Sequence, residues 1–289
     1  MGEISEKTSR GHSVILLIIT AIMWSTGGVL IKLIKWHPIA IAGARSAIAA
    51  IVMVVHTKKP KFTWSLAQIL GAIAYALTVI FLVSATKLTT SANAIMLQYT
   101  APIYVAIFGS WFLDEKTKWY DWITIILVIG GMVLFFIDEI TPGGLLGNIL
   151  GVLSGITFGL LTVFMRKQKD GSPVETALLG NILTAIIGLP FIIINPLPDS
   201  GSWGILLILG IFQIGIPYIL YSHAIKHVTA LEGILIPIIE PILNPIWVFL
   251  ITGERPGYWA LVGGTIVIIS VTARCVIHSL RWSNIVQRE

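Results

Sequence analysis

The residue best suited to do chemistry in this sequence is Glu240, a carboxylate within a long apolar run. The run reads Ile236-Pro-Ile-Ile-Glu240-Pro-Ile-Leu-Asn-Pro245. If the run crosses a membrane, Glu240 is about ten residues in, which at about 1.5 Å per residue is near the middle of the bilayer. Intramembrane carboxylates are costly and usually face a wet cavity or a partner. Glu240 is therefore a proton acceptor for coupling, a counter-charge for an ammonium group, or a neutral acid bonded to a carbonyl freed near Pro237.

Prolines interrupt this apolar run and an earlier one. The sequence Leu97-Gln-Tyr-Thr-Ala-Pro102 carries one, and the later run carries Pro237, Pro241 and Pro245. A proline inside a helix removes one backbone hydrogen bond and clashes with the carbonyl four residues back. Corresponding interruptions in two halves of a chain indicate a midplane substrate site, because freed carbonyls and polar side chains can face a cavity. The alternative is that these prolines only kink membrane helices.

Aromatic and amide side chains near mid-span are candidates to line the same cavity. Trp24 is followed by Ser25-Thr-Gly-Gly28, where small residues permit close helix approach. Its ring could stack on a planar or cationic ligand, or simply fill the core. The other candidate contacts are Tyr75, Gln98, Tyr99, Tyr218, Asn244 and Trp247.

Arg45 is the basic residue that falls inside an apolar span. It lies seven residues after Pro38, roughly 10 Å from the end of its helix. The ordinary fate of such an arginine is to snorkel to the membrane interface. The alternatives are that its guanidinium binds a carboxylate of the substrate or pairs with Glu240.

The elements that position these residues are predicted to be transmembrane helices. The 289 residues are 56% hydrophobic and 11% charged, with a mean hydropathy of +0.90, which excludes a soluble globular protein. The apolar runs are too long and too continuous for barrel strands. The fold class is thus an all-α integral membrane protein with ten transmembrane helices. The predicted spans are 14–34, 39–56, 65–86, 90–112, 121–137, 145–165, 174–194, 203–222, 230–251 and 257–278.

The basic residues predict the orientation of the spans. In a soluble protein the net charge of +5 would suggest a nucleic-acid partner, but the Lys and Arg residues are scattered singly between apolar runs. With the N-terminus in the cytoplasm, fourteen of them lie inside and four outside, in accord with the positive-inside rule. We therefore expect a multi-pass protein of the inner or plasma membrane with both termini cytoplasmic and no nucleic-acid partner.

The chain contains an internal repeat at an offset of 139 residues. The aligned residues are Leu70-Gly71 with Leu209-Gly210, Lys87 with Lys226, Thr90 with Thr229, Pro102 with Pro241, and Glu115 with Glu254. Each copy holds five spans, so the second copy is predicted to enter the membrane from the opposite side, as in many secondary transporters. The copies are 1–139 and 140–289, two inverted five-helix repeats in one packed membrane bundle.

Several function classes find no support in the sequence. Cys275 is the single cysteine, and His223 and His227 have no apparent third ligand, so no metal site or cofactor is expected. No phosphate-binding Gly-x-x-x-x-Gly-Lys-Ser/Thr run occurs. A spaced nucleophile, base and oxyanion set is also lacking, so the protein is not expected to be an enzyme. The open alternatives are an intramembrane lipid-modifying enzyme and a receptor-like or scaffold subunit.

Several features of the sequence recur together in one known family. They are the two five-helix copies, Trp24 with the following glycines, Pro38 followed by Arg45, Pro102 and Glu115, and Glu240-Pro241 with Gly253-Glu254. On these features the chain resembles the EamA family of ten-helix transporters in the drug/metabolite transporter superfamily. One departure is Asp114-Glu115, where that family usually has Gly-Glu.

The resemblance implies a central cavity enclosed by helices one to four and six to nine. It also implies a secondary active transporter that moves small amphipathic metabolites, such as amino acids, amines or drugs, by alternating access. Export in exchange for protons is the expected direction, and uptake or facilitated transport of another small metabolite is the alternative. The implied partners are a small-molecule substrate, the lipid bilayer and protons, with the protein a monomer or homodimer.

Overall fold

The computed structural model describes residues 2–135, 137, 144–243 and 257–286, and it describes side chains there except at residues 2–8, 92 and 278–286. Every regular element in these ranges is helical. The helices are α1 (Gly2–Trp24), α2 (Gly27–Leu33), α3 (Pro38–Thr57), α4 (Leu66–Leu88), α5 (Ser91–Gln98), α6 (Ala101–Phe112), α7 (Trp119–Phe135), α8 (Leu145–Lys167), α9 (Pro173–Ile194), α10 (Ser200–Ile208), α11 (Ile216–Ala224), α12 (Ala230–Leu235) and α13 (Tyr258–Val286). A π-helical segment, Leu209–Gly215, joins α10 to α11, and a 3-10 turn, Ile236–Ile238, with helical residues 239–243, continues α12.

Eight helical segments are long and apolar enough to cross a membrane. They are Ser9–Leu33, Pro38–Thr57, Leu66–Leu88, Asn93–Phe112, Leu145–Lys167, Pro173–Ile194, Ser200–Ala224 and Tyr258–Ile277. The shorter apolar helix Trp119–Phe135 coincides with the fifth predicted span. The predicted span 230–251 is helical over residues 230–243, and the rest of it lies outside the described residues. The all-helical, multi-pass class is confirmed, and the count of ten stays a prediction.

The packing of the helices follows the internal repeat. The second helices of the two copies, α3 and α9, pack along each other, and so do the last helices, α7 and α13. The third helix of the first copy, α4, packs on α8, while its counterpart α11 packs on α1. When two copies are related by twofold symmetry, equivalent helices of the copies contact each other. A contact between two helices that are not equivalent then occurs twice, with the copies exchanged. The predicted boundary near residue 139 falls outside the described residues, and the inverted orientation stays a prediction.

Two lysines at equivalent positions of the repeat make equivalent contacts. Lys87, at the end of α4, donates from Nζ to the carbonyls of Lys32 (3.4 Å) and Ile34, where α2 ends. Lys226, just after α11, donates to the carbonyl of Gly171 (3.1 Å), shortly after α8 ends. The last carbonyls of a helix have no partner within the helix, and Lys87 supplies one at the end of α2. In each copy, a lysine at the end of the third span therefore ties that span to the segment in which the first span ends.

Equivalent threonines begin the fourth helix of each copy. The Thr90 hydroxyl accepts a hydrogen bond from the backbone N–H of Asn93 (3.0 Å), and the Thr229 hydroxyl accepts one from Glu232 (3.2 Å). Glu232 also accepts from the Thr229 backbone N–H (3.0 Å), which completes a capping box. The start of each broken helix is thus fixed by the same local device.

Helix α8 approaches the broken helix α5–α6 through a stripe of glycines. At Gly155, which faces the break, an added Cβ would lie 2.8 Å from Thr100 Oγ1 and 2.9 Å from the Gln98 carbonyl oxygen. Small residues of this kind let helix backbones come close together in membranes. The stripe, Gly147, Gly151, Gly155 and Gly159, therefore serves close packing.

We expect Gly155→Ala to lower thermal stability, because backbone atoms of the break stand where the methyl group must go. Overpacking a tight contact of this kind costs about 1–3 kcal/mol. The matched control is Gly130→Ala in α7, where a Cβ meets nothing within 4 Å. Thermal unfolding of the purified protein in detergent measures both. Equal melting temperatures for the two variants would contradict this packing argument.

Candidate functional site

A small cavity of about 40 Å³ lies among helices of both copies. Its lining residues are Trp24, Arg45, Thr78, Val79, Leu82 and Gln98 from the first copy, and Phe158, Gln213, Ile214, Tyr218 and Glu240 from the second. A water needs roughly 10–15 Å³ of such volume, so the cavity holds a few waters and is too small for a metabolite. Any cargo that binds here requires the surrounding helices to separate.

The structure brings most of the predicted site residues together. Trp24, Arg45, Gln98, Tyr218 and Glu240 line the cavity itself. The predicted contacts Asn244 and Trp247 lie outside the described residues.

The two remaining predicted contacts lie directly behind the cavity wall. The ring of Tyr75 is 4.7 Å from that of Tyr218, and the hydroxyl of Tyr99 contacts Glu240. Both tyrosines are fully enclosed. They therefore support lining residues in this conformation.

The prolines coincide with interruptions in the fourth span of each copy. Helix α5 ends at Gln98, and Pro102 stands in the first turn of α6. In the second copy, Pro237 lies in the 3-10 turn and Pro241 in the helical residues 239–243. Pro245 lies outside the described residues. Both interruptions adjoin the cavity, whose lining includes Gln98 and Glu240. Backbone groups that lack helical partners can bind side chains there.

Tyr99 links the two interruptions. It stands between α5 and α6, and its hydroxyl donates to Glu240 Oε2 (2.5 Å) and lies 3.1 Å from the carbonyl oxygen of Pro237. Pro237 and Glu240 both belong to the interrupted region that follows α12. The acid and the Pro237 carbonyl of one copy therefore both contact one hydroxyl of the other.

The protonation state of Glu240 is coupled to this arrangement through the supply of hydrogens. A phenol has one hydrogen to donate, whereas Pro237 and an ionised Glu240 can only accept. When Glu240 carries a proton it can donate to Tyr99, which frees the Tyr99 hydrogen for the Pro237 carbonyl. When Glu240 is ionised it takes that hydrogen, and the carbonyl keeps only the bond from the backbone N–H of Ile239. Loss or gain of one proton thus changes the bonding of the second interruption.

Arg45 is buried and bonded to an uncharged partner. Its side chain is 2% exposed, and Nη1 donates to Gln213 Oε1 at 3.0 Å, while Nε has no hydrogen-bond partner. No carboxylate among the described residues lies within ion-pair distance of it. The guanidinium therefore neither snorkels to the interface nor pairs with Glu240, which are two of the alternatives that the sequence leaves open.

Gln213 occupies the π-helical segment and was not predicted from the sequence. Pro217, in the first turn of α11, has no N–H, so the Gln213 carbonyl cannot receive the usual bond from four residues later. Segments of π-helix occur often at functional sites. The Gln213 amide also reaches the junction of α1 and α2, where a Cβ on Gly27 would lie 2.6 Å from Nε2. The sequence signal for this irregular segment is Pro217.

Aromatic rings form one wall of the cavity. The Trp24 ring lies 5.2 Å from Tyr218, 5.9 Å from Phe158 and 5.6 Å from Tyr221, measured between centroids. On the far side of this cluster, Asn181 donates to the Tyr75 hydroxyl at 2.8 Å. Such contacts fix ring orientation, so the wall is preorganised rather than loosely filled.

A chain of polar side chains holds Gln98 at the cavity. Its Nε2 donates to Ser154 Oγ (3.0 Å), and Ser154 Oγ donates to the Thr78 carbonyl (3.2 Å). The Thr78 hydroxyl in turn donates to Thr157 Oγ1 (3.0 Å). These partners come from α4 and α8, whose sequence gives no sign that they face the same point. Gln98 is therefore oriented by the second copy.

Charged residues tie the helices together at the end where α6, α8 and α11 finish. Glu115 accepts from Arg166 Nε (2.9 Å) and from the backbone N–H of Ala230 at the start of α12 (2.9 Å). Arg166 Nη1 also donates to the carbonyls of Ile225 (3.1 Å) and Lys226 (2.6 Å). The Glu115–Arg166 ion pair thus binds the backbone at two helix ends, the start of α12 and the end of α11.

A second ion-pair group stands beside the first. Arg274 Nε bonds Asp121 Oδ1 at 2.9 Å, and its Nη1 is 3.5 Å from Glu232 Oε1. Arg10 also pairs with Glu232. Between the two groups is a cavity of about 140 Å³ whose lining includes Glu115, Asp121 and Arg274. The group joins α1, α7, α12 and α13, and its arginines are among the residues predicted to face the cytoplasm.

Comparison with known proteins identifies relatives along the whole bundle. Residues 12–137, and again residues 145–273, match the model of the EamA-like transporter family. A protein named an uncharacterized transporter from Archaeoglobus fulgidus is 27% identical over 198 residues, covering 68% of this chain and 71% of that one. One of the same name from Clostridium kluyveri is 26% identical over 283 residues, covering 88% and 90%. A protein named a biotin transporter from Escherichia coli is 24% identical over 237 residues, covering 74% and 77%.

A solved crystal structure has the same fold. It superposes with a TM-score of 0.78 at 15% identity, covering 93% of this chain and 98% of the other. At that identity the likeness extends to the fold alone. The double match to one family confirms both the sequence resemblance and the two-copy architecture.

We expect Glu115 and Arg166 to stabilise the fold jointly. Their ion pair holds Glu115 against the start of α12 and Arg166 against the end of α11, so loss of either residue weakens the contacts of the other. In a double-mutant cycle of Glu115→Gln and Arg166→Gln, thermal unfolding should report a coupling of about 1 kcal/mol. The control is Lys116→Gln, in the same loop. Additive losses in the double variant would contradict the shared role.

Proposed function

The chain belongs to the EamA-like transporter family, and we propose that it is a secondary active transporter of small amphipathic metabolites that works by alternating access. The observation that carries this proposal is the placement of Glu240 in a cavity lined by both copies of the repeat. A carboxyl group at such a place is expensive to bury and is typical of substrate and proton pathways. The small volume of the cavity supports a closed form that must open to admit cargo.

The chemistry of the cavity favours cargo with an amino group. Glu240 offers a carboxylate, and the rings of Trp24 and Tyr218 offer π-faces to a cation. Leu82 and Phe158 add apolar surface for a hydrocarbon part. Amino acids, amines and cationic drugs share this amphipathic character.

Proton exchange follows if cargo and proton compete for Glu240. A neutral Glu240 has no charge with which to attract an ammonium group, so only one of the two occupies the site at a time. Competition for a single group is the simplest thermodynamic coupling between two ligands. Release of cargo would accompany protonation, with Tyr99 redirecting its hydrogen to Pro237 as the acid changes state.

We propose that the protein is an exporter in the cell membrane, the direction that its family resemblance implies. The ion-paired end, with Arg10, Arg166 and Arg274, would face the cytoplasm under the positive-inside rule. Opening toward the cytoplasm would then require the Glu115–Arg166 contact to change. Rocking of two inverted copies about the cavity is the motion that we infer.

A second candidate is the transport of another small metabolite in the opposite direction or without coupling. The relative from Escherichia coli that is named a biotin transporter supports this alternative. The buried guanidinium of Arg45 favours it too, because an acid without an amino group would find a partner there.

The first test measures exchange in proteoliposomes loaded with radiolabelled leucine, phenylalanine, putrescine or biotin. We expect an imposed pH gradient to drive accumulation of at least one probe. Glu240→Gln should abolish that drive, because a side chain that cannot titrate cannot make proton and cargo compete. Counterflow of the probes that carry an ammonium group should also weaken, because the variant lacks the counter-charge. The control is Asp170→Asn in an exposed loop.

Three results would count against the proposal. Full pH-driven accumulation by Glu240→Gln removes Glu240 from coupling. Tight binding of a probe without any flux indicates a receptor-like subunit instead of a carrier. Conversion of a defined lipid by the purified protein indicates an intramembrane enzyme.

A further inference from the structure

Arg45 is a buried cation without a counter-anion in the described part of the chain. The side chain is 2% exposed, and its hydrogen-bond partner is the uncharged amide of Gln213. An arginine stays protonated in proteins, so burial does not remove its charge. A charged side chain within a bilayer costs about 2.5–3.5 kcal/mol on insertion scales, and such residues usually pair or face a functional cavity.

The guanidinium of Arg45 has N–H donors that the protein does not use. It carries five N–H groups in a planar fork, and the bond to Gln213 uses one of them. Its Nε is buried without a hydrogen-bond partner, and Arg45 lines the cavity. An unused fork in a low-dielectric site matches a planar, two-oxygen anion, which it can bind by two parallel hydrogen bonds.

The surroundings of the fork favour an anion as well. Gln213 Oε1 accepts from Arg45, so the amide Nε2 is left as a donor. The narrow space beside Gly27 restricts that amide. Glu240 lines the same cavity without pairing with Arg45. Opposite charges that remain apart in one cavity leave the fork available to a ligand.

We propose that Arg45, positioned by Gln213, is a carboxylate-binding subsite and that the transported molecule carries a carboxylate group. The inference rests on the proposed transport function and specifies its cargo. An amino group on the same molecule would face Glu240, which makes zwitterions the best match. A carboxylate is planar and fits the fork, whereas a single inorganic ion would use only part of it.

The experiment compares acids with their primary amides. Leucine, phenylalanine and biotin, each beside its amide, are titrated against the purified protein by thermal shift, and the same probes are followed by counterflow. We expect the wild type to prefer at least one acid over its amide by roughly 10- to 100-fold, the range for a hydrogen bond to a charged group. Arg45→Gln should remove that preference, so that each acid and its amide bind with similar affinity.

A second variant keeps the test decisive if Arg45→Gln does not fold. Gln213→Glu supplies the counter-anion within the protein, so it should raise the melting temperature without ligand and abolish the preference for acids. Gln213→Ala is the matched control, because it removes the amide without adding charge. A melting temperature for Gln213→Glu at or below that of Gln213→Ala would overturn the inference.

The remaining outcomes separate this inference from the transport proposal. Equal binding and flux of acids and amides contradict the carboxylate subsite and leave the transporter standing. A preference for acids that Arg45→Gln removes, without flux of any probe, supports the subsite and contradicts transport. Stabilisation by sodium chloride over sodium sulfate, with no preference for acids, identifies chloride as the partner and overturns the inference.

Discussion

The architecture depends on holding a carboxyl group and a guanidinium in one apolar bundle without letting them neutralise each other. Glu240 is held by a tyrosine of the other copy and Arg45 by a glutamine of the other copy. Direct pairing would satisfy both charges and close the cavity to polar cargo. The uncharged partners Tyr99 and Gln213 instead orient the two charged groups and leave both groups able to bind a ligand. The cost of that arrangement is offset by the extensive helix packing around it.

The irregular backbone of the protein gathers at this point. The junction of α1 and α2, the break at Tyr99 and Thr100, the 3-10 turn at Pro237 and the π-helical segment at Gln213 all adjoin the cavity. Backbone groups without helical partners are tolerated inside a membrane only where protein or water satisfies them. By contrast, α8 and α9 run without interruption and use glycines for close approach. The regular helices supply rigidity, and the interrupted ones supply the site and the freedom to move.

The sequence predicted the general architecture well because the signals are local. Apolar runs located eight spans and the shorter helix Trp119–Phe135 within a few residues, and prolines marked the interruptions in spans four and nine. The fate of Arg45 was not readable, because whether an arginine snorkels depends on what surrounds it in three dimensions. Ser154 could not be predicted for the same reason, because it lies on a regular helix and meets Gln98 only through the packing of two helices. Gln213 differs, because Pro217 four residues later marks the irregular segment in the sequence.

The most direct measurement of the central claim is a cryo-electron microscopy structure of the protein in nanodiscs with a saturating carboxylate cargo. The account predicts a widened cavity with ligand density between Arg45 and Glu240, its carboxylate against the guanidinium fork. Density in the cavity beside Glu115 and Arg274 instead, with Arg45 still bonded only to Gln213 and the central cavity unchanged, would contradict it.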